Sequence, residues 1–109
     1  MGIIIKKYNV MDIKVQSVNF DADQKLISFV ENRVEKLQTY FDNIVGVESF
    51  LKVEKSDSFE NKLVEIKVML PGKEIFAKKN AKSFEEAADE SIEALRRQLV
   101  KYKEKIQSK

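Results

Sequence analysis

From Ile13 to Val18 the stretch IKVQSV alternates apolar and polar residues, the period of a strand with one face buried. Asp23 then precedes a helical pattern, where a short carboxylate caps free N–H groups. Leu26, Val30, Val34, Leu37 and Phe41 recur at intervals of three and four. They predict an amphipathic helix of roughly five turns, stopping near Asp42 and Asn43, with Gly46 punctuating the loop beyond. In VESFLKVEK, 47–55, Val47, Leu51 and Val53 share one side of a second strand, which the polar SDSFEN ends. LVEIKVML, 63–70, sets Val64, Ile66, Val68 and Leu70 on one face of a third. Pro71-Gly72 is a turn signal, so the chain is expected to reverse into EIFAKK as a hairpin. Ser83 and Glu86 form a capping box for a last helix, whose stripe is Ala88, Ile92, Leu95, Leu99, Tyr102 and Ile106.

The predicted order is β-α-β-β-β-α. It implies an α+β fold, one four-stranded sheet with two helices packed on one face. At 109 residues the chain holds one core, with no repeat, linker or low-complexity stretch. Residues 1–10, MGIIIKKYNV, place a short apolar patch before lysines, the reverse of a secretory signal. Met11 offers a second start, so 1–10 is expected to be an extension and 11–109 a single domain.

Composition narrows the chemistry. With 43% hydrophobic and 35% charged residues the chain is globular rather than disordered. Cysteine is absent, which removes disulfides and thiolate chemistry and fits an intracellular compartment. Histidine is absent too, and with it the commonest general base and metal ligand. Ser83 therefore reads as a cap and not a nucleophile. The acids of EEAADE lie on an exposed helix face without convergent partners, so no metal or cofactor is expected. No apolar run approaches the ~18–20 residues that span a bilayer. Nothing here points to an enzyme or to a small-molecule substrate.

Charge changes the picture through its distribution, since the net charge is only +2. In ALRRQLVKYKEKIQSK, 94–109, Arg97, Lys101 and Lys105 fall at i, i+4 and i+8 on one outward face. Arg96 and Lys103 flank the apolar stripe on the other side. Helix-dipole compensation acts within the last turn and does not require positive charge over three turns. The first helix adds Arg33, Lys36 and Tyr40 along one flank, with Lys25 further up. If the helices pack side by side, these join the last helix in one basic surface, a pattern suited to a phosphate backbone. Taken alone, the pattern leaves four uses open: a solvated face, nucleic acid, a membrane surface or a partner protein. A membrane helix would need an exposed apolar face, whereas this stripe is required by the core.

The stretches FVENRVEKLQTYFDNI, FLKVEK and SFEEAADESIEALRRQLVKYKEK resemble the ribosome hibernation-promoting factor and ribosome-associated inhibitor family. KLxxYFD, LKVEK and RQLxKxKxK occur in that family's order and roughly its spacing, and the resemblance covers residues 11–107. It implies the same β-α-β-β-β-α fold and a function. Members bind the small ribosomal subunit near the decoding centre and block messenger and transfer RNA. Their basic helix surface contacts ribosomal RNA, inhibiting translation in stationary or starved cells. Arg33 and Lys36 match basic positions of the first helix, and Arg97, Lys101, Lys103 and Lys105 match those of the second. Ala94 stands where relatives often carry lysine, and Arg96 where they often carry a small residue, which shifts the patch by part of a turn. With no linker or C-terminal dimerisation domain, the chain is similar to the short form. In relatives, that form works alongside a separate small modulation factor. The expected partners are therefore the small subunit, its RNA and such a factor, in the cytoplasm. The alternatives from the residues alone are a double-stranded RNA-binding module and a domain docking its last helix in a partner's groove.

Overall fold

The computed structural model describes residues 11–55 and 59–107; the expected extension at 1–10 lies outside them. The elements are β1 (Asp12–Val18), α1 (Gln24–Glu35), a 3-10 helix (Lys36–Thr39), β2 (Gly46–Val53), β3 (Lys62–Leu70), β4 (Lys73–Ala81) and α2 (Phe84–Gln107). They form one sheet in the order β1-β2-β3-β4. β1 and β2 pair in parallel because α1 carries the chain back between them. The other two pairs are antiparallel.

Local chemistry accounts for the element ends. Asp23 accepts a hydrogen bond from the Leu26 N–H at 2.8 Å, and Ser83 Oγ accepts from the Glu86 N–H at 3.1 Å. Between β3 and β4 the ring of Pro71 presets its φ, while Gly72 takes φ 73°. That is the backbone of a type II turn, and a side chain at Gly72 would be strained there.

The expected first helix is divided. Regular α-helix ends at Glu35, and Lys36–Thr39 tightens to 3-10 geometry, which still buries Leu37. Gly46 opens β2 instead of lying in a loop. A Cβ on Gly46 would come within 3.1 Å of the Asp12 carbonyl, so a side chain here would press on the paired parallel strand.

Alternation along the strands gives the sheet its two faces. Ile13, Val47, Val68 and Ile75 lie in register, followed by Val15, Ser49, Ile66 and Ala77. This face joins Val30, Val34 and Leu37 with Leu95 and Leu99 in one core, so both helices cover the same side. Each fully buried leucine contributes about 1.5–3 kcal/mol through surface removed from water.

Two stripe positions fall outside it. Val53 has core-side parity but is 43% exposed, because it lies at the strand end beyond helix cover. Ile106 is 44% exposed. α2 is about 36 Å long against about 30 Å for a nine-residue strand, and its last turn overhangs the sheet.

Ser49 is fully buried in the core-facing row, and its hydroxyl has no hydrogen-bond partner among the described residues. Removing an unsatisfied buried hydroxyl, so that the hydroxymethyl side chain becomes a methyl, removes a desolvation cost of about 1–3 kcal/mol. Ser49→Ala is therefore expected to raise the melting temperature by several degrees, measured by thermal denaturation against the parent.

Candidate nucleic-acid interface

The two helices run in parallel, since their contacts advance together. Phe20, just before α1, stacks on Phe84 with ring centroids 5.1 Å apart, and Phe41, beyond the 3-10 helix, meets the edge of Tyr102 at 5.3 Å. Between these anchors, Arg33 Nε donates to Asp89 Oδ1 at 2.8 Å across the helix pair. The Arg33 guanidinium also lies 4.2 Å from the Phe29 ring centre. Arg33 thus meets the acidic half of α2, about two turns before its basic half begins at Arg96.

The basic half starts with two arginines on one carboxylate. Arg96 donates from Nε to Glu93 Oε1 at 3.0 Å and pairs with the same carboxylate through Nη2. Arg97 Nη1 reaches Glu93 Oε2 at 3.3 Å. The hydrogen bond from Arg96, reinforced by both positive charges, holds the Glu93 carboxyl below its ordinary range. The same bond raises Arg96 above its own. All of these pairs are solvent-exposed, so they position side chains more than they stabilise the fold.

Arg96 also lies 5.9 Å from the Tyr40 ring centre, so the first-helix flank meets α2 at Arg96 and not at Arg97. Lys103 follows Arg96 by seven residues on that inner edge, while Arg97, Lys101 and Lys105 form the outward row. All but Arg96 are exposed. Lys36 belongs to the 3-10 helix and shares a shallow hollow with Asn32, Arg33, Glu35 and Thr39. Lys25 stands apart, about 12 Å up α1 from Arg33 and away from the basic half of α2.

Lys73 was not legible as a site residue. Its Nζ lies 5.5 Å from the centre of the Tyr102 ring, between Lys101 and Lys103, so the β3–β4 hairpin tip adds a cation to the end of α2. The turn was readable from Pro71-Gly72, but not which helix end it would reach. Asp89 was likewise readable among the exposed acids of EEAADE, but not as the partner of Arg33 from the other helix. The assembled surface offers several cations and two rings within a few turns, suited to phosphates with bases or sugars alongside. No helix of the described residues is long and apolar enough to cross a membrane.

Comparison with known proteins gives this surface a context. The chain is 31% identical over 98 residues to the ribosome hibernation promoting factor of Pseudomonas putida, covering 90% of this chain and 92% of that one. It is 32% identical over 96 residues to the protein of that name in Escherichia coli, covering 88% and 97%. Among solved structures, a ribosomal subunit interface protein from Coxiella burnetii matches with TM-score 0.76 and 26% identity, over 85% of this chain and 98% of that one. The N-terminal domain of Protein Y from Thermus thermophilus shares the fold, with TM-score 0.72 at 21% identity over 84% and 99%. The model of the Sigma 54 modulation protein / S30EA ribosomal protein family matches residues 13–107, nearly the whole described chain, and the protein belongs to that family.

Proposed function

We propose that this protein is a ribosome hibernation factor. It binds the small ribosomal subunit near the decoding centre, excludes messenger and transfer RNA, and inhibits translation in stationary or starved cells. It does so in the cytoplasm, by occupancy and without catalysis. The observation that carries the reading is the joining of family membership to a one-sided basic surface. The apolar stripe of α2 is spent on the sheet, and its Arg97, Lys101 and Lys105 row faces outward. In this reading Arg33, Lys36, Arg97, Lys101, Lys103 and Lys105 each meet a ribosomal RNA phosphate, while Arg96, held by Glu93 beside the Tyr40 ring, and the outlying Lys73 and Lys25 make RNA contacts at the margin.

Arg33 and Arg97 exchange their carboxylate partners for phosphates, at little cost because exposed ion pairs are weak. A separate small modulation factor is a further partner by the same family reading. Sucrose-gradient fractionation of starved cells tests the proposal. The protein is expected to co-migrate with small subunits or whole ribosomes. A wholly free pool at low salt would rule the proposal out.

A further inference from the structure

A second cationic feature lies at the opposite end of α2, where β3 enters the sheet and β4 leaves it. Phe59 is 87% exposed, an unusual place for a large apolar ring. It lines a hollow of about 520 Å³ together with Asn61, Lys62 and Lys82. Strand register brings these together: Lys62 pairs with Ala81, the residue before Lys82. The base of the loop is closed by the Glu54 N–H donating to the Asn61 carbonyl at 2.8 Å.

Among the described residues, the lining of this hollow contains no carboxylate. Three other hollows on the described surface each include at least one, from Glu35 and Asp42, from Glu35 alone, and from Glu65 with Glu74. Glu54 and Glu60 lie nearby in the chain, but neither lines the hollow, and Glu54 accepts from the Asn80 side-chain amide. An exposed ring, an amide and two ammonium groups match the parts of a nucleotide. The ring stacks on any base, the amide can donate to a base carbonyl, and the ammonium groups meet phosphate.

We propose that the hollow formed by Phe59, Asn61, Lys62 and Lys82 binds one nucleotide of single-stranded RNA, with the base stacked on Phe59 and the flanking phosphate between Lys62 and Lys82. Lys82 precedes the first turn of α2, and Lys101 lies about 25 Å further along the helix. The hollow is therefore a second contact, able to hold a different RNA segment from the one met by the basic half of α2. This inference rests on the RNA-binding reading of the protein.

The test is fluorescence anisotropy of a labelled single-stranded oligouridine of about ten nucleotides, with small-subunit binding by the parent measured in parallel. Phe59→Ala is expected to weaken oligouridine binding about 5- to 150-fold, the effect of losing one stacked base. Phe59→Tyr keeps a ring and is expected to bind like the parent, while Phe59→Leu falls with the alanine variant. Joint change of Lys62 and Lys82 to Gln is expected to reduce the salt slope by about 0.7, the share of one phosphate on a single strand. Parent-like binding by Phe59→Ala overturns the proposal. So does parent-like binding by Phe59→Leu, since ring stacking would then not carry the contact. Subunit binding without any oligouridine binding overturns the hollow alone, whereas loss of both overturns the ribosome reading as well.

Discussion

Raising the salt concentration fourfold is expected to weaken binding to small ribosomal subunits by roughly three orders of magnitude. The magnitude follows from counting. If Arg33, Lys36, Arg97, Lys101, Lys103 and Lys105 each meet one phosphate, log affinity falls against log salt with a slope of about −0.7 to −0.9 per contact. Changing Arg97, Lys101 and Lys105 together to Gln removes half of that set, so the slope should flatten by about half. Folding should hardly change, because all three are exposed on the face of α2 turned from the core. Arg97 also releases Glu93 in this variant, but Arg96 still engages that carboxylate. A salt titration of subunit binding for parent and variant reads the result directly. Equal slopes would remove the 97, 101 and 105 row from the interface while leaving family membership untouched. Binding indifferent to salt would point to an apolar groove on a protein partner instead.

Leu37→Ala and Leu99→Ala are each expected to destabilise the fold by about 2–5 kcal/mol. Both side chains are fully buried, one from the 3-10 helix and one near the far end of the α2 stripe. Truncation removes apolar contact and leaves a cavity that a sheet-backed core closes only in part. Against a total stability of about 5–15 kcal/mol this is severe, and thermal melts should show it as a large drop. Leu99 also lies between Gln98, whose amide donates to the Phe76 carbonyl at 3.1 Å, and the Lys101–Lys105 stretch. Loosening it should therefore cost ribosome binding as well. Melts of both variants matching the parent would mean the two helices do not pack on the sheet as described.

Much of this architecture was readable along the chain because its causes are local. Alternation in IKVQSV and LVEIKVML reports which face of a strand is buried, and three-four spacing from Leu26 to Leu37 reports the same for a helix. Asp23 and Ser83 announce helix starts because a cap bonds an N–H only three residues away. Pro71-Gly72 announces a turn because the two residues themselves set its dihedrals. The same locality made the charged row at 97, 101 and 105 visible before any packing was known.

What the tertiary structure decided depends on residues far apart in the chain. Arg33 and Asp89 are 56 positions apart, and their meeting follows from how α1 and α2 lie side by side on the sheet. The same packing puts Arg96 against Tyr40 and Lys73 against Tyr102, so the hairpin tip enters the basic surface. Strand register alone sets Lys62 beside the end of β4 and so forms the hollow with Phe59 and Lys82. Exposure of Val53 and Ile106, both placed in apolar stripes by periodicity, reflects where the two layers stop overlapping. Periodicity tells a side chain which way to face; only the packed layers determine whether anything is there to meet it.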